Sequence, residues 1–113
     1  MTYFLDASFL FAVFCEDDIF HQQAEKLIRE INQGSHKVFA SNISLSETIN
    51  LIFRFKGPRE VKKFIKYFTK TQTEVVYVGK EIFQSGCDIL ISQKSKRGLN
   101  FFDSLHLAVM KHL

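Results

Sequence analysis

The run TYFLDASFLFAVFCE, residues 2–16, holds the pattern from which the fold can be read. Residues 2–6 are a short apolar segment closed by an acid, as a buried strand would be, and SFLFAVFCE then reads as a short, very apolar helix. The same alternation repeats along the chain. Asp17 or Asp18 is placed to cap a helix over IFHQQAEKLIREI, in which Ile19, Ala24, Leu27, Ile28 and Ile31 recur at helical spacing and Gly34 marks the end. KVFAS is a second short strand. Ser44 opens a helix over LSETINLIFRF, Gly57-Pro58 stops it, and Pro58 starts the next helix in the first-turn position that proline tolerates. TEVVYV, rich in β-branched residues, is the third strand. A helix from about Lys80 to Gln93, the polar loop KSKRG and a last helix containing NFFDSLHLAV complete the chain. Strands alternating with helices predict an α/β domain with a parallel sheet, where ligands collect outside the carboxyl ends of the strands.

Composition narrows the function classes. With 113 residues the expectation is one domain spanning 1–113, and 46% hydrophobic content with 13 phenylalanines is enough to build a core. No apolar run approaches the roughly 20 residues that cross a bilayer, and the apolar start lacks a basic flank, so neither a membrane anchor nor a signal peptide is expected. Cys15 and Cys87 are too few and too far apart for a disulfide framework and read as small core residues in a reducing cytoplasm. Charge is uneven. Residues 1–53 carry three Lys/Arg against seven acids, whereas residues 54–97 carry eleven against four. Such a division suits a polyanion held near cations, and equally a solvated surface of mixed charge. There is no G-x-G-x-x-G, no Walker A loop and no Cys/His spacing for zinc, as His21, His36, His106 and His112 are scattered.

Three acids then stand out, each with a plainer explanation beside the chemical one. Asp6 follows the first strand, where it would also cap the helix beginning near Ala7. Glu47 follows the second strand within Ser44-Leu45-Ser46-Glu47, a capping-box pattern. Asp103 lies in the first turn of the last helix, with Leu99, Leu107 and Met110 on the neighbouring turns. Apolar residues around most of that helix imply burial, and burying a carboxylate costs several kcal/mol unless donors or a cation compensate. Asn100 can cap the helix and leave Asp103 as the capping-box acid. Together the three carboxylates form a candidate hard-oxygen site of the kind Mg²⁺ or Mn²⁺ prefers.

The segments FLDASFLFAVF, ASNISLSETINLI and RGLNFFDSLHLAVM, with DDIFHQQAEKL between the first two, resemble a PIN domain, the nuclease fold of VapC-type toxins. The likeness covers nearly the whole chain; each motif is weak alone and their ordered combination is fairly specific. It implies a three-layer α/β/α domain and a Mg²⁺- or Mn²⁺-dependent endoribonuclease. The toxin half of a VapBC-type toxin–antitoxin pair is the implied role. Asp6, Glu47 and Asp103 match the family's metal-binding, catalytic acids, and Ser8 matches a position whose hydroxyl supports the first acid. An RNA substrate, a cognate antitoxin protein, a homodimer, a cytoplasmic location and no membrane partner are what the resemblance implies. The family pattern usually continues into a further strand with a fourth Asp or Asn, whereas this chain stops at Leu113. The expectation is therefore a sheet short of its last strand, with TYFLD at an open edge, and the alternative function is a truncated, catalytically impaired module that binds RNA or a protein.

Two basic surfaces could meet phosphates. Lys94, Lys96 and Arg97 lead directly into the helix bearing Asp103 and are the expected RNA-binding residues. Arg59, Lys62, Lys63, Lys66 and Lys70 cover one face of the helix opened by Pro58, opposite the apolar stripe Val61, Phe64, Ile65 and Phe68; a solvated face explains them as well.

Overall fold

A computed structural model describes residues 1–94 and 97–113. Its elements, in chain order, are β1 (Thr2–Phe4), α1 (Ala7–Phe14), α2 (His21–Gln33), β2 (Lys37–Ser41), α3 (Asn42–Lys56), α4 (Pro58–Thr69), β3 (Glu74–Val76), α5 (Lys80–Ile91) and α6 (Phe101–His112). The three strands form one sheet in the order β1-β2-β3, both pairings parallel, with Thr2 opposite Lys37 and Phe39 opposite Glu74. Leu5 N–H donates to the Phe39 carbonyl at 2.8 Å, carrying the pairing one residue past β1. Among the described residues β1 is one edge of the sheet, with Tyr3 and Phe4 half-buried.

Successive strand residues point to opposite faces, and here they feed two different cores. Leu5 and Ala40 pack with Leu10, and Phe9, Ile28, Val38, Leu45 and Phe68 close around them. Phe4, Val76 and Val78 face the other way, onto Ile82, Ala108 and Val109 of the α5–α6 pair. The sheet is thus sandwiched between helical layers, the three-layer α/β/α arrangement. A third cluster joins α1, α3 and α4: Cys15, Ile52 and Phe64 are buried, and Phe14 meets the Phe64 ring edge-on at 5.3 Å. Burial pushes the Cys15 thiol above its ordinary range, consistent with an inert core residue, and both cysteines are free.

Several element boundaries differ from expectation for identifiable reasons. The third helix opens at Asn42 rather than Ser44, because Ser41, the last residue of β2, is already its cap. Ser41 Oγ accepts from Ser44 N–H at 3.0 Å, and Ser44 Oγ accepts from Ser41 N–H at 2.9 Å. Strand and helix therefore join without a loop. The second helix begins at His21: Asp18 accepts from Phe20 N–H at 3.0 Å in the preceding turn, and Asp17 pairs with Lys56 at the end of α3. Ile19 consequently falls outside the helix and is 86% exposed. Between α5 and α6 the approach is close. A Cβ on buried Gly86 would stand 3.3 Å from Leu105 Cα, so glycine lets α6 settle against α5. No described helix is long and apolar enough to cross a membrane.

Gly57 turns the chain between α3 and α4 at φ 89°, ψ 176°, a region reserved for glycine. Nothing crowds a Cβ there, so Gly57→Ala isolates the backbone cost. Its stability in urea should fall by about 1–3 kcal/mol with an unchanged denaturant slope. An unshifted midpoint would mean that this turn carries no strain.

Candidate functional site

Parallel strands place their carboxyl ends on one side of the sheet, and α1 and α3 both start from those ends. Asp6 is the N-cap of α1: its backbone is extended (φ −87°, ψ 174°) and its Oδ1 accepts from Phe9 N–H at 2.9 Å. The plainer reading of Asp6 is therefore realised, and the residue is nonetheless exposed. Ser8, in the first turn of α1, is exposed and makes no side-chain hydrogen bond to Asp6 among the described residues.

Glu47 lies in the second turn of α3. Since Ser41 and Ser44 form the capping box themselves, Glu47 is released from the capping role its sequence suggested. Its Oε1 is instead 3.2 Å from Nε2 of His106, with side chains 35% and 15% exposed. That distance is ion-pair range, but the geometry is off the hydrogen-bonding axis: Oε1 is buried and has no aligned donor. Leaving a buried carboxylate oxygen so served is costly, which marks it as a place where a cation would be welcome.

Asp103 and Asn100 cap α6 reciprocally. Asn100 Oδ1 accepts from Asp103 N–H at 2.8 Å, and Asp103 Oδ2 accepts from Asn100 N–H at 3.3 Å. The expected burial of Asp103 is not found. Ser104, Leu105, Ala108 and Val109 form the buried side of α6, whereas Phe102, Asp103 and Met110 are exposed, as is Leu99 just before the helix. An apolar circumference did not translate into burial, because only one side of α6 meets α5 and the sheet.

His106, one of the histidines the sequence shows as scattered, lies beside two of these segments. One turn after Asp103, it contacts Glu47 and lies against the Phe4 ring, with centroids 5.6 Å apart. The signal was present in the i, i+3 spacing of Asp103 and His106, which puts both on neighbouring turns of one face. Asn42 adds a second tie, its Oδ1 accepting from Val78 N–H at 2.8 Å and fastening the start of α3 to the segment after β3. His106 thus links the helix that carries Asp103 to Glu47 of α3 and to Phe4 of β1. The three carboxylates are not closed around a common point: among the described residues no three His, Cys, Asp or Glu side chains form a group that could hold a metal ion.

Of the basic residues, Lys94 and Arg97 are exposed, and Lys96 lies outside the described residues. Gln93 is joined to Leu99 by two hydrogen bonds, at 2.7 and 2.9 Å, which ties the end of α5 to the residue before the cap of α6. On α4, Arg59, Lys62, Lys63, Lys66 and Lys70 are all exposed, with Lys63 3.0 Å from Glu60.

A three-layer α/β/α domain with acids at the carboxyl ends of parallel strands defines a class of proteins that bind ligands at that edge. The PIN domain family model matches residues 3–113, and the chain belongs to that family. Among solved structures it is similar to VapC20 of Mycobacterium tuberculosis, described as a sarcin–ricin loop cleaving toxin. The TM-score is 0.83 and the identity 24%, over 99% of this chain and 82% of that one, a likeness of fold. No curated protein matches it.

The capping role and any chemical role of Asp6 separate by substitution. Asp6→Ala should cost about 1 kcal/mol of stability, whereas Asp6→Asn, which caps as well, should stay within about 0.5 kcal/mol of the parent. Thermal melts of the two variants decide it, and an equal loss in both would contradict the cap assignment.

Proposed function

We propose that this protein is a divalent-metal-dependent endoribonuclease, the toxin half of a VapBC-type toxin–antitoxin pair acting in the cytoplasm. One observation carries the reading. In a chain matching the PIN family over residues 3–113, Glu47 lies 3.2 Å from His106 on the helix that carries Asp103, and His106 packs on Phe4, two residues before Asp6. Asp6, Glu47 and Asp103 are the residues that would hold Mg²⁺ or Mn²⁺. The donor set is all oxygen, the kind these ions take, and buried Glu47 Oε1 lacks an aligned donor. Bound there, the ion would supply Lewis acidity to a phosphodiester and a water activated for in-line attack.

The chain's own residues do the rest. Asp6 and Asp103 each commit one oxygen to a helix cap, which fixes the carboxylate, and both residues are exposed. Ser8, two residues after Asp6 in the first turn of α1, is assigned to steady it. Lys94 and Arg97, with Lys96, are assigned to RNA phosphates beside Asp103. No side-chain nucleophile is needed, and Cys15 is buried away from the strand ends. A cognate antitoxin and a second copy of this chain are the protein partners proposed. The separation of the three carboxylates favours, as the second reading, an impaired module that binds RNA or a protein without cleaving.

Incubation with a structured RNA and Mn²⁺ distinguishes them. Cleavage by the parent should be metal-dependent and should drop on the order of 100-fold or more in Asp103→Asn, since even residues that merely support a metal ligand cost 10–100-fold. Equal cleavage by both proteins would reject the assigned site, and none by the parent would favour the binding module. Substituting Lys94 by Ala should weaken RNA binding across sequences and reduce the slope of log affinity against log salt by about 1.

A further inference from the structure

We infer that the outer face of α4 is a second RNA-binding surface, on which Arg59, Lys62, Lys66 and Lys70 meet the phosphates of a single strand. It shares the RNA partner of the proposed function and needs neither a metal ion nor cleavage. Residues 48–73 contain seven Lys/Arg and one acid, Glu60. Glu60 lies 3.0 Å from Lys63 on the same helix. Arg59, Lys62, Lys66 and Lys70 are exposed and have no ion-pair partner among the described residues. Their spacing of three to four residues puts about one cation per turn, ~5.4 Å apart, along one side of the helix.

Two features set this face apart from a solvated one. Lys62–Lys66 and Lys66–Lys70 are like-charged pairs four residues apart, and Arg59 stands in the first turn, at the positive end of the helix dipole; each weakens the helix. The outer face of α2 shows the ordinary alternative, with Glu25, Lys26, Arg29 and Glu30 interleaved and Arg29 3.5 Å from Glu25. The kind of partner is also constrained. Phe64 of α4 is buried with Cys15 and Ile52, which leaves Ile65 and Tyr67 as its exposed large apolar residues. That is too little to enter a bilayer surface or to centre a protein interface, whereas a phosphate backbone asks only for positive charge. The stripe also lies off the strand-end acids. The end of α4, through Tyr67 and Lys70, shares a cleft with Lys37 and Glu74, the first residues of β2 and β3. RNA on α4 is therefore tethered away from the carboxyl ends of the strands.

Fluorescence anisotropy of a short, unstructured single-stranded RNA, in EDTA and across a salt series, reads binding apart from any cleavage. Lys62→Ala with Lys66→Ala on α4, and Lys26→Ala with Arg29→Ala on α2, remove equal charge. Alanine favours helix in both, and melting curves establish that each double variant is folded. The α4 double variant should bind roughly 20-fold more weakly at ~0.1 M salt and lower the slope of log affinity against log salt by about 1.4, with the α2 double variant within about 3-fold of the parent. Lys62→Arg with Lys66→Arg should bind like the parent. Equal losses from α2 and α4, parent-like binding by the α4 double variant, or a parent that binds phosphatidylserine vesicles and no RNA would overturn the inference. A loss confined to Lys94→Ala would overturn it and leave the proposed function standing. With no metal present, a parent that fails to cleave RNA bears on the proposed function alone.

Discussion

The docking of α6 onto the sheet is the constraint on which everything else depends. Asp6 and Glu47 reach the same side of the molecule through local rules alone, because each belongs to a helix that starts where a parallel strand ends. Asp103 has no such guarantee. Its helix is held against the sheet by Ala108 and Val109 packing with Ile82 beneath Phe4 and Val76, by the close approach of Gly86 and Leu105, and by His106 lying 3.2 Å from Glu47. These contacts are mostly apolar, so the position of the Asp103 carboxylate is set by burial of its neighbours on the other side of the helix. Hydrophobic burial is favourable but non-directional; the glycine contact and the His106–Glu47 pair supply the register.

The same logic explains how an aspartate can cap a helix and stay open to solvent. Asp6 and Asp103 sit at helix N-termini, where orphaned N–H groups and the helix dipole favour a negative charge. Each satisfies a backbone donor with one oxygen and remains exposed. A cap of this kind immobilises the carboxylate without burying it. Glu47 is the contrasting case, half-buried and freed of capping by the Ser41–Ser44 pair, with a buried oxygen 3.2 Å from His106.

Local signals were the legible ones. KVFAS, the Gly57-Pro58 break and the Asn100–Asp103 box are each determined within about four residues, and each is found where composition and spacing put it. The start of α3 was misplaced because Ser41 and Ser44 are equally good caps in isolation, and the choice falls to the residue where β2 stops pairing. The surroundings of Asp103 were misjudged for a different reason. Leu99, Phe102 and Met110 are apolar, yet α6 has only one partner layer, and a one-dimensional pattern does not count the layers. His106 was invisible as a site residue because its partner is 59 positions away in the chain. The PIN resemblance, by contrast, was legible across almost the whole length, since it depends on the order of short motifs and not on any single contact.

The central claim is that residues 6, 47 and 103 share one divalent ion. Anomalous diffraction from crystals soaked in Mn²⁺ tests it most directly. The account predicts a manganese peak at coordinating range, ~2.1 Å, from carboxylate oxygens of Asp6, Glu47 and Asp103. A peak bound elsewhere, or none at saturating Mn²⁺, would contradict it.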